Sequence, residues 1–177
     1  MNKMEKIDEV IISKLESDKT HRGSASQFFI AGELCRRGLV AVVTMGNCPN
    51  TDILCSNKEG TKFVHIQVKT FRPGDRTCSV GRKAGINYGS NFFWILGGIP
   101  TKDSAREFEY YIIPATDMSK NIGEAHDKWM RALGKKGQAH NDSNVRTVGL
   151  PPRKGFNGWD ISKYLNRWDK IDKKLTK

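Results

Sequence analysis

The chain has 177 residues and a mass of 20.0 kDa, which fits one domain burying about 70% of its unfolded surface around a single core and leaves no room for a two-domain enzyme. Hydrophobic residues make up 37% and charged residues 28%, with a mean hydropathy of -0.56, a balance that excludes a disordered polyelectrolyte. Thirty Lys and Arg against nineteen Asp and Glu give +11, so the expected partner is a polyanion, nucleic acid ahead of an acidic membrane surface.

No stretch reaches the roughly 18 apolar residues of a spanning helix. The opening MNKMEKIDEVIISKLESDK has no apolar run before a small-residue cleavage site, so a cytoplasmic protein without membrane insertion is expected. The four cysteines Cys35, Cys48, Cys55 and Cys78 form no CxxC pair, which argues against zinc. Cys35 and Cys55 lie in apolar patterns and read as reduced core thiols.

In chain order, Ile7, Val10, Ile11 and Leu15 recur at helical spacing and predict a short helix over 4–17. Ser24 to Arg37 is an apolar helix ended by two arginines and Gly38. Leu39 to Thr44 is β-branched, and a Gly-Asn-Cys-Pro-Asn loop leads into a strand that Asp52 opens. In FVHIQVK, residues 63–69, period two sends Val64, Ile66 and Val68 to one face and Phe63, His65, Gln67 and Lys69 to the other.

Residues 72–91 hold four glycines and four basic residues and predict an exposed loop. Strands follow at Phe92 to Leu96 and Phe108 to Ile113, joined by a polar hairpin around Pro100 to Arg106. Beyond them come a helix around Glu124 to Leu133 and a short strand within Val145 to Leu150. From Asp160 a closing amphipathic helix carries Ile161, Leu165, Trp168, Ile171 and Leu175.

The segment Gly23 to Thr70 carries the chemistry. It reads as a helix with an ELCRRG end, a strand, a Pro49-Asn50-Thr51-Asp52 turn into a strand, and a strand ending in Gln67-Val68-Lys69. This order resembles the PD-(D/E)XK nuclease superfamily, in the variant whose third motif reads QxK. The resemblance implies an α/β, restriction-endonuclease-like domain with a mixed central sheet flanked by helices. Residues 1–177 then form one domain with its core at about 20–114 and an extension, 115–177, to which the resemblance gives no role.

Phosphodiester hydrolysis needs a divalent ion, and Mg²⁺ is held by one or two carboxylates together with substrate oxygens. The resemblance implies Mg²⁺, or Mn²⁺, on Asp52, the Gln67 side-chain carbonyl and the backbone carbonyl of Val68, with Lys69 steadying the attacking water or the developing charge. Family members often carry a Glu on the first helix eleven residues before its closing glycine; that position here is Gln27, which the resemblance implies faces Asp52, Gln67 and Lys69 in the catalytic site. Glu33 sits about 120° around the helix from Gln27 and cannot face the same site. One firm carboxylate remains, so modest metal affinity is expected.

Arg72, Arg76, Arg82 and Lys83, in the loop that follows Lys69, are expected to track phosphates, while Phe92 and Trp94 read as core. His65 reads as a hydrogen-bonded residue and His140-Asn141-Asp142 as a polar loop. The resulting expectation is a metal-dependent DNA endonuclease, with RNA as an open alternative substrate. The rivals are a nucleic-acid-binding module that has lost turnover, and a regulatory partner of a nuclease system. Double-strand cleavage by one site per chain would imply a homodimer.

Overall fold

The computed structural model describes residues 19–45 and 48–176, so the helix expected over 4–17 lies outside the described residues. Among the described residues the chain is α/β, with a five-stranded mixed sheet flanked by three helices. Helix α1 (Lys19–Arg36) is followed by β1 (Val40–Val43), β2 (Ile53–Ser56) and β3 (Phe63–Phe71). After β4 (Thr77–Ser79) and a 3-10 turn (Arg82–Gly85) come β5 (Phe92–Gly98), β6 (Glu109–Pro114) and α2 (Ala115–Arg131). The chain closes with β7 (Thr147–Gly149), a second 3-10 turn (Ser162–Tyr164) and α3 (Asp169–Thr176).

The sheet order is β1-β2-β3-β5-β6, antiparallel throughout except for the parallel pair β3 and β5. The two faces of β3 separate as its alternation requires. Val64, Ile66 and Val68 are buried with Ile30, Ala31 and Leu34 of α1 and with Trp168, Ile171 and Leu175 at the C-terminal end. On the other face Phe71, Phe92, Trp94 and Leu96 pack with Met118 and Ile122 of α2 and with Val148 and Leu150. Residues after 114 therefore complete both cores.

Helix α1 stops where Gly38, at φ 85, reverses the chain. The amides of Gly38 and Leu39 then close on the carbonyls of Cys35 and Leu34 at 2.9 and 3.2 Å, a turn for which glycine carries no steric cost. Its buried Ser26 packs so closely on β5 that a Cβ at Gly97 would collide with the Ser26 hydroxyl.

Three expectations change. Residues 72–91 are not a wholly irregular exposed loop: β4 pairs with β7 through Cys78 and Val148, and Cys78, Val80 and Ala84 are buried. Three-residue strands whose partner lies about seventy residues away in sequence leave little local periodicity. The continuous helix from Asp160 is interrupted, because Asn166 takes φ 52 and Leu165 stays exposed in a bridge with Tyr111, leaving α3 to begin at Asp169. Cys35 lies on the exposed side of α1, whereas Cys55 is in the core. Among the described residues no helix is long and apolar enough to cross a membrane.

Candidate functional site

Asp52 stands at the mouth of β2, positioned by the turn before it. Asn50 takes the left-handed conformation at φ 66, a region asparagine tolerates better than most residues. Thr44 holds both sides of the turn, its amide donating to the Asp52 carbonyl at 2.9 Å and its hydroxyl to the Thr51 carbonyl at 2.5 Å. The Asp52 amide donates to the Ile66 carbonyl at 2.9 Å, which continues the β2–β3 ladder by one residue and brings the carboxylate alongside Gln67.

The Asp52 carboxylate accepts two hydrogen bonds on the same oxygen, Oδ2. One comes from the Val68 amide at 2.6 Å and the other from Gln67 Nε2. Burial is the largest influence on this group and pushes its pKa above the ordinary carboxylate value. The Val68 N–H, the positive charge of Lys69 and the Gln67 amide all pull it down without offsetting the burial.

Asp52, Gln67 and Lys69 line one cleft of about 510 Å³. The turn residues Cys48, Pro49 and Asn50 wall one part of it, and Val80, Gly81, Arg82 and Lys83 another. Trp94 lies beside Gln67 in the β3–β5 register and is only 1% exposed, so it forms the floor. Arg82 and Lys83 are delivered by the 3-10 turn, which is anchored where the Val80 amide donates to the Arg146 carbonyl at 2.9 Å. Among the described residues the cleft thus combines one carboxylate, two side-chain amides and three cationic side chains.

The remaining sequence-derived residues fall elsewhere. Gln27 does not line this cleft: it shares the stripe of Ile30, Ala31 and Leu34 on α1, the helix that covers the opposite face of the sheet, and it is half-buried there. Glu33 also lies outside, bonded to Arg36 and Arg37. Arg72 and Arg76 are exposed but do not line the cleft, because the chain runs from them into β4 before returning at Val80. His65 is exposed, with Nδ1 3.2 Å from the Thr51 hydroxyl. His140 stacks on Trp129 at 3.9 Å, and Asp142 bonds Arg146.

The oxygen donors of the cleft are of the kind a hard cation takes. Among the described residues no group of three or more His, Cys, Asp or Glu side chains converges. What converges instead is oxygen chemistry: the Asp52 carboxylate, the Gln67 amide, and Asn50 Oδ1, which is buried without a hydrogen-bond partner. The Val68 N–H faces Asp52, and a residue in an extended strand turns its N–H and C=O to the same side, so the Val68 carbonyl lies on that side too.

Asn50 and Trp94 were missing from the sequence-derived site. Asn50 had a signal, an Asx residue two positions before the carboxylate in a proline turn. Trp94 was legible only as core, which it also is. Comparison with protein-family models, with curated proteins and with solved structures finds nothing that matches this chain.

Proposed function

We propose that the chain is a metal-dependent endonuclease that hydrolyses phosphodiester bonds of DNA, built on a restriction-endonuclease-like core of the PD-(D/E)XK kind with a QxK third motif. The observation that carries this reading is the meeting of Asp52, Gln67 and Lys69 in one cleft with Arg82 and Lys83. The α1-β1-β2-β3 succession and the parallel β3–β5 pair support the fold assignment.

Asp52, Gln67 and the Val68 carbonyl would hold Mg²⁺ or Mn²⁺, with Asn50 Oδ1 within the same cleft. When bound, the ion supplies Lewis-acid polarisation of the phosphoryl oxygen and lowers the pKa of a water. Arg82 and Lys83 hold the phosphates on either side of the scissile bond. Lys69 hydrogen-bonds the attacking water and then the charge that builds as the new P–O bond forms and the bond to the leaving sugar oxygen breaks; that oxygen takes up a proton. With one carboxylate in the set, part of the ion's coordination falls to the substrate phosphate.

The neutral Gln67, bonded through Nε2 to Asp52, favours the second reading, a module that binds nucleic acid without turnover. Incubating the protein with plasmid and with single-stranded DNA in Mg²⁺ or Mn²⁺, against an EDTA control, separates the two. Metal-dependent nicking or degradation is expected. Binding without cleavage in either ion would leave the second reading.

A further inference from the structure

The cleft does not end at Arg82 and Lys83. Those two residues also line a neighbouring depression of about 660 Å³, formed with Ile86, Gly123, His126 and Arg146. His126 and Arg146 in turn line a third of about 700 Å³, whose far wall is Arg153, Lys154 and Phe156. Bordering one another through these residues, the three depressions succeed each other as an interrupted groove from the Asp52 cleft past the 3-10 turn and α2 to the loop that follows β7.

This groove is built, not draped. Arg146 is only 10% exposed, and its Nη1 donates to the carbonyls of Ser143 and Val145 at 2.6 and 2.8 Å. Its Nη2 donates to Asp142 at 3.0 Å, so Arg146 is committed to the floor. Asp142 also lies 3.2 Å from His126 Nε2 and 4.0 Å from Arg82.

The loop at the far end is equally fixed. A Cβ at Gly149 would stand 2.6 Å from the backbone of Lys154, the Gly155 amide donates to the Trp159 carbonyl at 2.8 Å, and Asn157 bonds Asn121 of α2 at 3.3 Å. Arg153 and Lys154 are exposed at the rim, and beside them Phe156 is 53% exposed.

Cations at both ends of a groove suit a polyanionic strand, and an exposed aromatic beside cations suits a strand whose base faces are open. A duplex buries those faces in its own stack. We infer that single-stranded nucleic acid runs along this groove from the Asp52 cleft to Arg153, Lys154 and Phe156, which form a phosphate clamp and a stacking platform. The inference rests on the nuclease reading for where the reacting phosphate sits, and it gives the C-terminal third of the chain a part in binding substrate.

The test is binding in EDTA, where nothing is cut, by fluorescence anisotropy of labelled single strands of about 4 and about 16 nucleotides and of a duplex of the longer length. The parent should prefer the long single strand. Arg153→Ala with Lys154→Ala should lose that length advantage and flatten the log affinity against log salt slope by about 1.4, two phosphates at about 0.7 each, so that the parent loses about sevenfold more affinity than the variant from 50 to 200 mM salt.

Phe156→Ala should weaken the long single strand roughly tenfold and leave the duplex unchanged. If these variants match the parent while Arg82→Ala with Lys83→Ala weakens binding, the groove is wrong and the cleft reading stands. If that second pair also has no effect, or the parent binds no nucleic acid, both fall. A duplex bound as tightly as the single strand and equally weakened by Phe156→Ala would overturn the single-strand assignment.

Discussion

Replacing Gln67 by Glu places a second carboxylate against Asp52, and the structure sets the size of the effect. In the parent, Gln67 Nε2 donates to Asp52 Oδ2, so the substitution removes a hydrogen bond to a charged group, about 1.5 kcal/mol, and sets two anions at contact distance. Their repulsion at about 4 Å lies between about 1 kcal/mol in water and about 4 kcal/mol in a partly buried site. Both side chains are half-buried, so about 2 kcal/mol applies and the sum is about 3.5 kcal/mol.

At about 2–4 °C per kcal/mol for a chain of this length, Gln67→Glu in EDTA at neutral pH should melt roughly 7–14 °C below the parent. The deficit should shrink in acid, where the two carboxyls share a proton. A divalent ion should restore stability, because it binds the folded pair and neutralises it. At ten times its Kd the gain is about 1.4 kcal/mol, or about 3–6 °C, and the parent should gain less. Differential scanning fluorimetry with EDTA, Mg²⁺ and Mn²⁺ measures all three. A variant as stable as the parent in EDTA would refute the Asp52–Gln67 contact, and a destabilised variant that no divalent ion rescues would refute the metal site.

Two further predictions follow from burial. Because burial holds the Asp52 carboxyl above its ordinary pKa, the folded chain takes up that proton more readily than the unfolded chain, and this contribution is present at low pH and lost as pH rises through the raised value. Asp52→Asn lacks it, so melting curves between about pH 7 and about pH 4 should shift the stability difference toward the parent as pH falls; a constant difference would contradict the burial of this carboxylate. Cys55 and Cys78 are buried, their thiols pushed up to about 12, while Cys35 and Cys48 are exposed. A thiol reagent should therefore label two of the four in the native protein and all four in denaturant, and rapid native labelling of three or more would contradict the core.

The strands that carry the site were readable because each states its pattern locally. FVHIQVK alternates over seven residues, and the burial of Val64, Ile66 and Val68 against the half-exposed Gln67 and Lys69 follows that alternation. Asp52 was readable because proline and asparagine mark the turn before it. What stayed hidden depends on contacts distant in sequence. Strands β4 and β7 have three residues each and exist as a pair, so neither shows a period of its own.

The same pairing decides which basic residues line the cleft. It carries Arg76 away from the cleft, returns Arg82 and Lys83 to it, and sets Arg146 beneath the 3-10 turn. Gln27 illustrates the other limit. Helical spacing puts it on the stripe of Ile30 and Leu34, but the spacing does not say which face of the sheet that stripe covers.

Lys69→Ala tests the nuclease mechanism most directly. Lys69 lines the cleft on the same face as Gln67, and its proposed work lies in the chemical step, so its loss should fall on turnover and not on binding. Single-turnover cleavage in Mn²⁺ and anisotropy in EDTA should be measured on the parent and the variant side by side. If this mechanism holds, the cleavage rate falls about 10²- to 10³-fold while DNA affinity changes by no more than about the threefold that one phosphate contact contributes. Equal cleavage rates in the two proteins would contradict it.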